Sequence, residues 1–138
     1  MPRYLGIDYG EKRVGLAVSD PTLTIAQPYK TILFTSIKNL IKELKVLIQA
    51  LDIRKVILGL PLTMKGTDSR KTQEVREFGD KLLEILDIPV ILFDERLSSV
   101  QAHAVLKQLG KQPSKNRPMV DQLAAQHILQ AFLDREKR

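Results

Sequence analysis

The 138-residue chain has no cysteine. That excludes disulfides, thiolate zinc sites and cysteine nucleophiles, and suits a reducing compartment. Aromatic residues are scarce, with three tyrosines and four phenylalanines, so base stacking should be secondary to backbone contacts in any binding of nucleic acid. No apolar run approaches the roughly 20 residues that span a bilayer. The N-terminus runs straight into a charged strand rather than an apolar leader. A cytoplasmic protein with no membrane partner is expected. Internal repeats and low-complexity segments are also missing. What is present is an ordinary soluble composition, 43% hydrophobic and 28% charged, of a length that suits one domain over residues 1–138. The formal net charge of +6 favours a polyanionic partner and says nothing of fold.

The stretch Tyr4–Asp20 organises the chain. It reads as strand, tight turn and strand. Leu5 and Ile7 alternate with Gly6 and Asp8, and Val14, Leu16 and Val18 alternate with Gly15, Ala17 and Ser19, so one face is bulky and the other nearly bare. Glycine inside a strand marks close approach by a ligand or another backbone. Asp8, at the end of the bare face, is placed for a metal or a phosphate; the plainer alternative is an Asp-x-Gly turn with Tyr9 and Gly10.

Thr24–Phe34 reads as a third strand bowed around Pro28, completing an antiparallel meander. Ile37, Leu40, Ile41, Leu44, Leu47, Ile48 and Leu51 predict an amphipathic helix over Ser36–Leu51, with Ser36 as N-cap. Lys55–Pro61 and Ile88–Glu95 are short apolar runs of the kind covered on both faces. Between them a polar loop, Leu62–Asp68, leads to a helix over Ser69–Leu86 with Val75, Phe78, Leu82, Leu83 and Leu86 buried. A further helix is expected over Ser98–Leu109, then a basic loop over Lys111–Pro118 and a last helix over Met119–Arg135. The order indicates an α/β protein with helices packed on a mixed sheet.

Three carboxylates stand out. Asp8 ends the first strand. Glu95 ends the last one, where ligands collect in sheets of this kind. Asp121, expected in the first turn of the last helix, continues its apolar stripe through Ala125, Ile128 and Phe132. An acid there complements the helix dipole, but that does not explain why it faces inward, where a carboxylate needs a partner. Ala124 and Ala125 let this helix approach the bare strand face and bring Asp121 toward Asp8. Such oxygen donors suit Mg²⁺ or Mn²⁺, and two ions about 4 Å apart can assist phosphodiester cleavage. Lys12, Arg13, Arg96, Lys111, Lys115 and Arg117 are candidate phosphate contacts. Gly66-Thr67 is a weaker candidate for presenting a backbone amide to phosphate. His103 and His127 lack ligand spacing and read as structural.

Gly6-Ile7-Asp8-Tyr9-Gly10, Lys12–Asp20, Gly59-Leu60-Pro61-Leu62 with Gly66-Thr67, Asp94–Ser98 and Asp121–Ala125 with Ile128-Leu129 resemble the motifs of the YqgF/RuvX family, a branch of the RNase H-like, Holliday-junction-resolvase-type nucleases. The resemblance spans nearly the whole chain with its motifs in order. It implies an RNase H-like α/β fold, with a mixed five-stranded sheet of three antiparallel then two parallel strands and helices on both faces. It also implies a divalent-metal-dependent phosphodiester hydrolase. Asp8, Glu95 and Asp121 would be its catalytic, metal-binding acids, and its task the processing of the 5′ end of pre-16S ribosomal RNA in ribosome biogenesis. Related resolvases carry a further acid three residues before the one matching Asp121; Pro118 stands there here, and Asp94, next to Glu95, is a candidate further contributor.

Structured RNA is the expected partner ahead of branched DNA, for a monomer or a homodimer. A non-catalytic nucleic-acid-binding module is the alternative of another class. A kinase-like nucleotide site built on the Asp-x-Gly turn is disfavoured, because the chain is short for a two-lobed cleft.

Overall fold

Side-chain alternation sorts the first hairpin into two faces. β1 (Arg3–Tyr9) and β2 (Arg13–Ser19) pair antiparallel with Leu5 opposite Val18 and Ile7 opposite Leu16. Leu5, Ile7, Val14, Leu16 and Val18 therefore enter one buried cluster, while Ala17 enters another. The structure, a computed structural model, describes residues 2–98, 108 and 117–137. Of the helix expected over Ser98–Leu109 only Ser98 and the helical Gln108 are described, and Lys111, Lys115 and His103 lie outside the described residues.

β3 (Ala26–Leu33) pairs antiparallel with β2. Its register shifts where Leu16 faces Lys30 and Ala17 faces Pro28, leaving Tyr29 as the extra residue of a bulge. Proline has no N–H to give a ladder and is tolerated on an edge strand, so the chain bows where expected. α1 (Ile37–Ala50) starts at Ser36, whose hydroxyl accepts from the Asn39 amide, and buries Leu40, Ile41, Leu44, Leu47 and Ile48. β4 (Ile53–Leu60) returns parallel to β1.

α2 (Arg70–Ile85) opens with a reciprocal cap between Ser69 and Thr72. The Thr72 hydroxyl also donates to the Pro61 carbonyl, which ties the helix start to the end of β4. Val75, Phe78, Leu82 and Leu86 are buried as expected, but Leu83 is exposed. It sits about 100° around the helix from Leu82 and falls off the apolar stripe. β5 (Val90–Asp94) adds parallel to β4, giving the sheet order β3-β2-β1-β4-β5.

The last helix, α3 (Arg117–Glu136), begins two residues before the expected Met119. The missing N–H of Pro118 costs nothing in a first helical turn, where amides lack intrahelical partners anyway. Proline among basic residues resembles a loop in sequence, yet here it opens the helix. Asp121 consequently lies beyond the first turn, and the helix dipole no longer accounts for it.

α1 and α2 cover one face of the sheet through the cluster that holds Leu5, Leu16, Leu44, Leu58 and Phe78. α3 covers the other, burying Ala125, Ile128, Leu129, Phe132 and Leu133 against Ala17, Ile57 and Phe93. The bare patch is what admits it: a Cβ on Gly6 would lie 2.8 Å from the Leu129 Cβ. α3 crosses β3 as well as the first two strands. Gln126 donates to the Ala26 carbonyl at 3.1 Å, and Gln130 accepts from the Ala26 amide at 2.8 Å while donating to the Thr24 carbonyl at 3.0 Å. One turn nearer the helix start, Gln122 donates to the Thr31 hydroxyl, which in turn donates to the Pro118 carbonyl. No helix among the described residues is long and apolar enough to cross a membrane.

Candidate active site

Asp8, Glu95 and Asp121 line one open cleft of about 860 Å³. Three elements deliver them. Asp8 is the penultimate residue of β1, opposite Gly15 on β2. Glu95 opens a short 3₁₀ turn, Glu95–Leu97, directly after β5. Asp121 comes from α3 on the bare face of the sheet. Two glycines make room. A Cβ on Gly15 would overlap the backbone carbonyl of Asp121, and one on Gly59, at the end of β4, would lie 2.9 Å from a Glu95 carboxylate oxygen. Close packing that a side chain would block is the physical reason for both glycines.

The electrostatics of the three acids differ. Asp8 is pushed up from 3.8 to about 7, first by burial and then by the charges of Glu95 and Asp121; Lys71 and Arg117 oppose the rise. Glu95 is also pushed up, mainly by burial and then by Asp94, again opposed by Lys71. Burial and like charges both disfavour an ionised carboxylate. Asp121 is partnered differently. Its Oδ2 accepts from Arg13 Nε at 2.8 Å.

Among the described residues no three acidic or histidine side chains converge into a finished metal cage. The donor chemistry nevertheless fits a hard divalent cation: carboxylate oxygens from three elements share a cleft in which burial, then the charges of Glu95 and Asp121, make Asp8 resist ionising.

The candidate phosphate contacts divide. Lys12, Arg13 and Arg117 line the cleft, although Arg13 is engaged with Asp121. Arg96 turns elsewhere. It grips Asp94 through Nε and Nη2, donates from Nη1 to the Met64 carbonyl, and its guanidinium packs beside Gly66. That pair holds Asp94 below its ordinary range and commits it to Arg96. The Gly66 and Thr67 amides are also occupied, by the carbonyl and hydroxyl oxygens of Thr63, so neither presents a phosphate site.

Three basic cleft residues escaped the sequence reading, as did Glu11 and Glu74. Arg70 and Lys71 line it from the first turn of α2, and His127, read as structural, lines it from α3. The signal for the first two was available. They follow the Ser69 cap just beyond the carboxyl end of β4, where ligands collect in such sheets.

Comparison with known proteins agrees with this architecture. The family model described as "RuvX: Holliday junction resolvase" matches residues 2–135. The chain is 42% identical over 130 residues to a protein of Chloroflexus aggregans named "Putative pre-16S rRNA nuclease", covering 94% of this chain and 92% of that one. A Syntrophomonas wolfei protein of the same name is 42% identical over 132 residues, covering 96% and 94%. Among solved structures, RuvC of Thermus thermophilus in complex with a Holliday junction substrate superposes with a TM-score of 0.63 at 13% identity, covering 99% of this chain and 97% of that one. The Fowlpox virus resolvase bound to Holliday junction DNA gives 0.59 at 13% identity, covering 99% of each. At that identity these likenesses establish the fold alone, and it is the RNase H-like one expected.

Proposed function

The chain belongs to the RuvX family, and from that premise we propose that it is a divalent-metal-dependent nuclease, acting as one domain over residues 1–138. The observation that carries the proposal is Asp8. It is a carboxylate at the end of a sheltered strand, held up at about 7 by burial, Glu95 and Asp121, in a cleft rimmed by cations. An acid so placed gains nothing for the fold. It is the expected arrangement for binding a cation.

Asp8, Glu95 and Asp121 would hold Mg²⁺ or Mn²⁺. A bound ion of this kind lowers the pKa of a water and offsets charge on the phosphate. Lys12, Arg70, Lys71 and Arg117 would hold the substrate backbone against the cleft, with Lys71 also neutralising part of the charge of Asp8 and Glu95. Lys111 and Lys115 are proposed as further phosphate contacts.

The proposed substrate is structured RNA, the pre-16S ribosomal RNA named for the relatives at 42% identity, and the proposed place of action is the cytoplasm. A second reading, cleavage of branched DNA, is favoured by the description of the family. One assay separates them: cleavage of pre-16S RNA and of a four-way DNA junction, each with Mg²⁺, with Mn²⁺ and with chelator. Cation-dependent cleavage of the RNA alone supports the first reading, and of the junction alone the second. Cleavage of neither, with binding retained, points to a binding module.

A further inference from the structure

We propose that Arg13 is a positioning residue that serves as resident counter-ion of Asp121, yields that carboxylate to a divalent cation, and once released holds substrate phosphate. The inference rests on the metal-nuclease reading of the cleft. Arg13 and Asp121 come from separate elements, β2 and α3, and meet at 2.8 Å between Nε and Oδ2 with side-chain exposures of 29% and 15%. The grip is single. Arg76 on Asp68 and Arg96 on Asp94 each use Nε and Nη2 together, whereas Arg13 uses Nε and keeps two Nη groups for other acceptors.

Charge explains both states. Without a cation, three carboxylates share the cleft, and the guanidinium of Arg13, 2.8 Å from Asp121, is the counter-charge that one of them has at hand. With a doubly charged ion on Asp121, the same guanidinium becomes a like charge at close range and is driven off. Lys12 and Arg117 line the same cleft, so a released Arg13 joins a surface already suited to phosphate. Arginine forks match phosphate oxygens well.

The test uses the full chain and two readouts other than turnover. Mn²⁺ titrated calorimetrically into Arg13→Gln should bind roughly tenfold to a hundredfold more tightly than into wild type, the size expected when one competing charged hydrogen bond is removed. Arg13→Lys, which keeps a cation but not the planar donor, should fall between. In Asp121→Asn the gain from Arg13→Gln should vanish. A short duplex oligonucleotide of unrelated sequence should bind Arg13→Gln more weakly than wild type with Ca²⁺ present, and equally in chelator. Arg13→Gln and Arg13→Lys chains that bind Mn²⁺ no more tightly than wild type, or a loss of duplex affinity that ignores the cation, would overturn the inference. A wild-type chain that takes up no Mn²⁺ overturns the metal reading and this inference together. Uptake that Asp8→Asn abolishes, unaffected by Arg13→Gln, overturns this inference alone.

Discussion

Gly15 and Asp121 are packed backbone to backbone: a Cβ on Gly15 would overlap the Asp121 carbonyl and lie 2.9 Å from the Asp121 Cβ. The helix that carries the third acid therefore rests on the bare main chain of β2. A single methyl group is enough to lift it.

Gly15→Ala should for that reason destabilise the protein by about 2–4 kcal/mol, since backbone cannot rotate aside as a side chain can. Urea unfolding measures this. Cleavage should suffer more than nucleic-acid binding, because the displaced group is Asp121 and the basic rim is spread over other elements. Wild-type stability in Gly15→Ala would show that α3 does not sit on β2 as described.

Asp8→Asn should abolish cleavage, with a loss of at least about 100-fold on the scale of removing a key electrostatic group. It should leave binding in chelator unchanged or tighter, because it removes a negative charge facing phosphate. A variant that cuts at the wild-type rate, in preparations cleared of contaminating nuclease, would return Asp8 to the role of a turn residue.

The same acid sets a pH dependence in metal-free buffer. Its folded value, about 7, lies above its ordinary 3.8, so the folded state holds the proton more tightly than the unfolded chain. The stability this confers is whole below about pH 4 and is lost as pH rises through about 7. Asn mimics the protonated acid at every pH. The unfolding free energies of wild type and Asp8→Asn should thus be similar near pH 4 and diverge upward in favour of Asn, by on the order of 4 kcal/mol at the alkaline end. Parallel curves would mean that Asp8 is not held in a sheltered, negatively charged setting.

Lys71→Gln and Arg117→Gln should each weaken binding of unrelated sequences about equally and lower the slope of log affinity against log salt by about 1. Filter binding across a salt series reads both quantities. A sequence-selective loss would identify a base contact instead.

Much of this was legible where a local pattern had one physical meaning. The two faces of the hairpin followed from alternation through Leu5, Ile7, Val14 and Leu16, and the bare face announced a close-packed helix before the helix was located. Ser36 caps as its position predicts, whereas Ser69, expected as the first residue of its helix, proves to be its cap. Asp8, Glu95 and Asp121 were found because each was an acid where an apolar or terminal position was due, and the structure brings all three to one cleft.

What escaped was pairing at a distance. Nothing within β2 says that Arg13 will meet a carboxylate 108 positions away, and nothing near Arg96 separates a phosphate ligand from the clasp it forms on Asp94 and the Met64 carbonyl. Leu83 was misplaced because a leucine beside Leu82 satisfies composition but not the helical angle. Pro118 was misread because the residue that breaks a helix interior is welcome at the start of one.

The glutamines of α3 have a consequence for assembly. Ala26 presents its amide and carbonyl away from β2, at the rim of the sheet, and Gln130 and Gln126 take up both. Such a rim ordinarily invites a sixth strand, from another copy or from an extended peptide. Here two side-chain amides stand in for that strand at its first rung. An incoming chain would have to peel α3 from β3, and with it the helix that holds Asp121, so self-association by annealing at this end of the rim and an intact cleft are mutually exclusive.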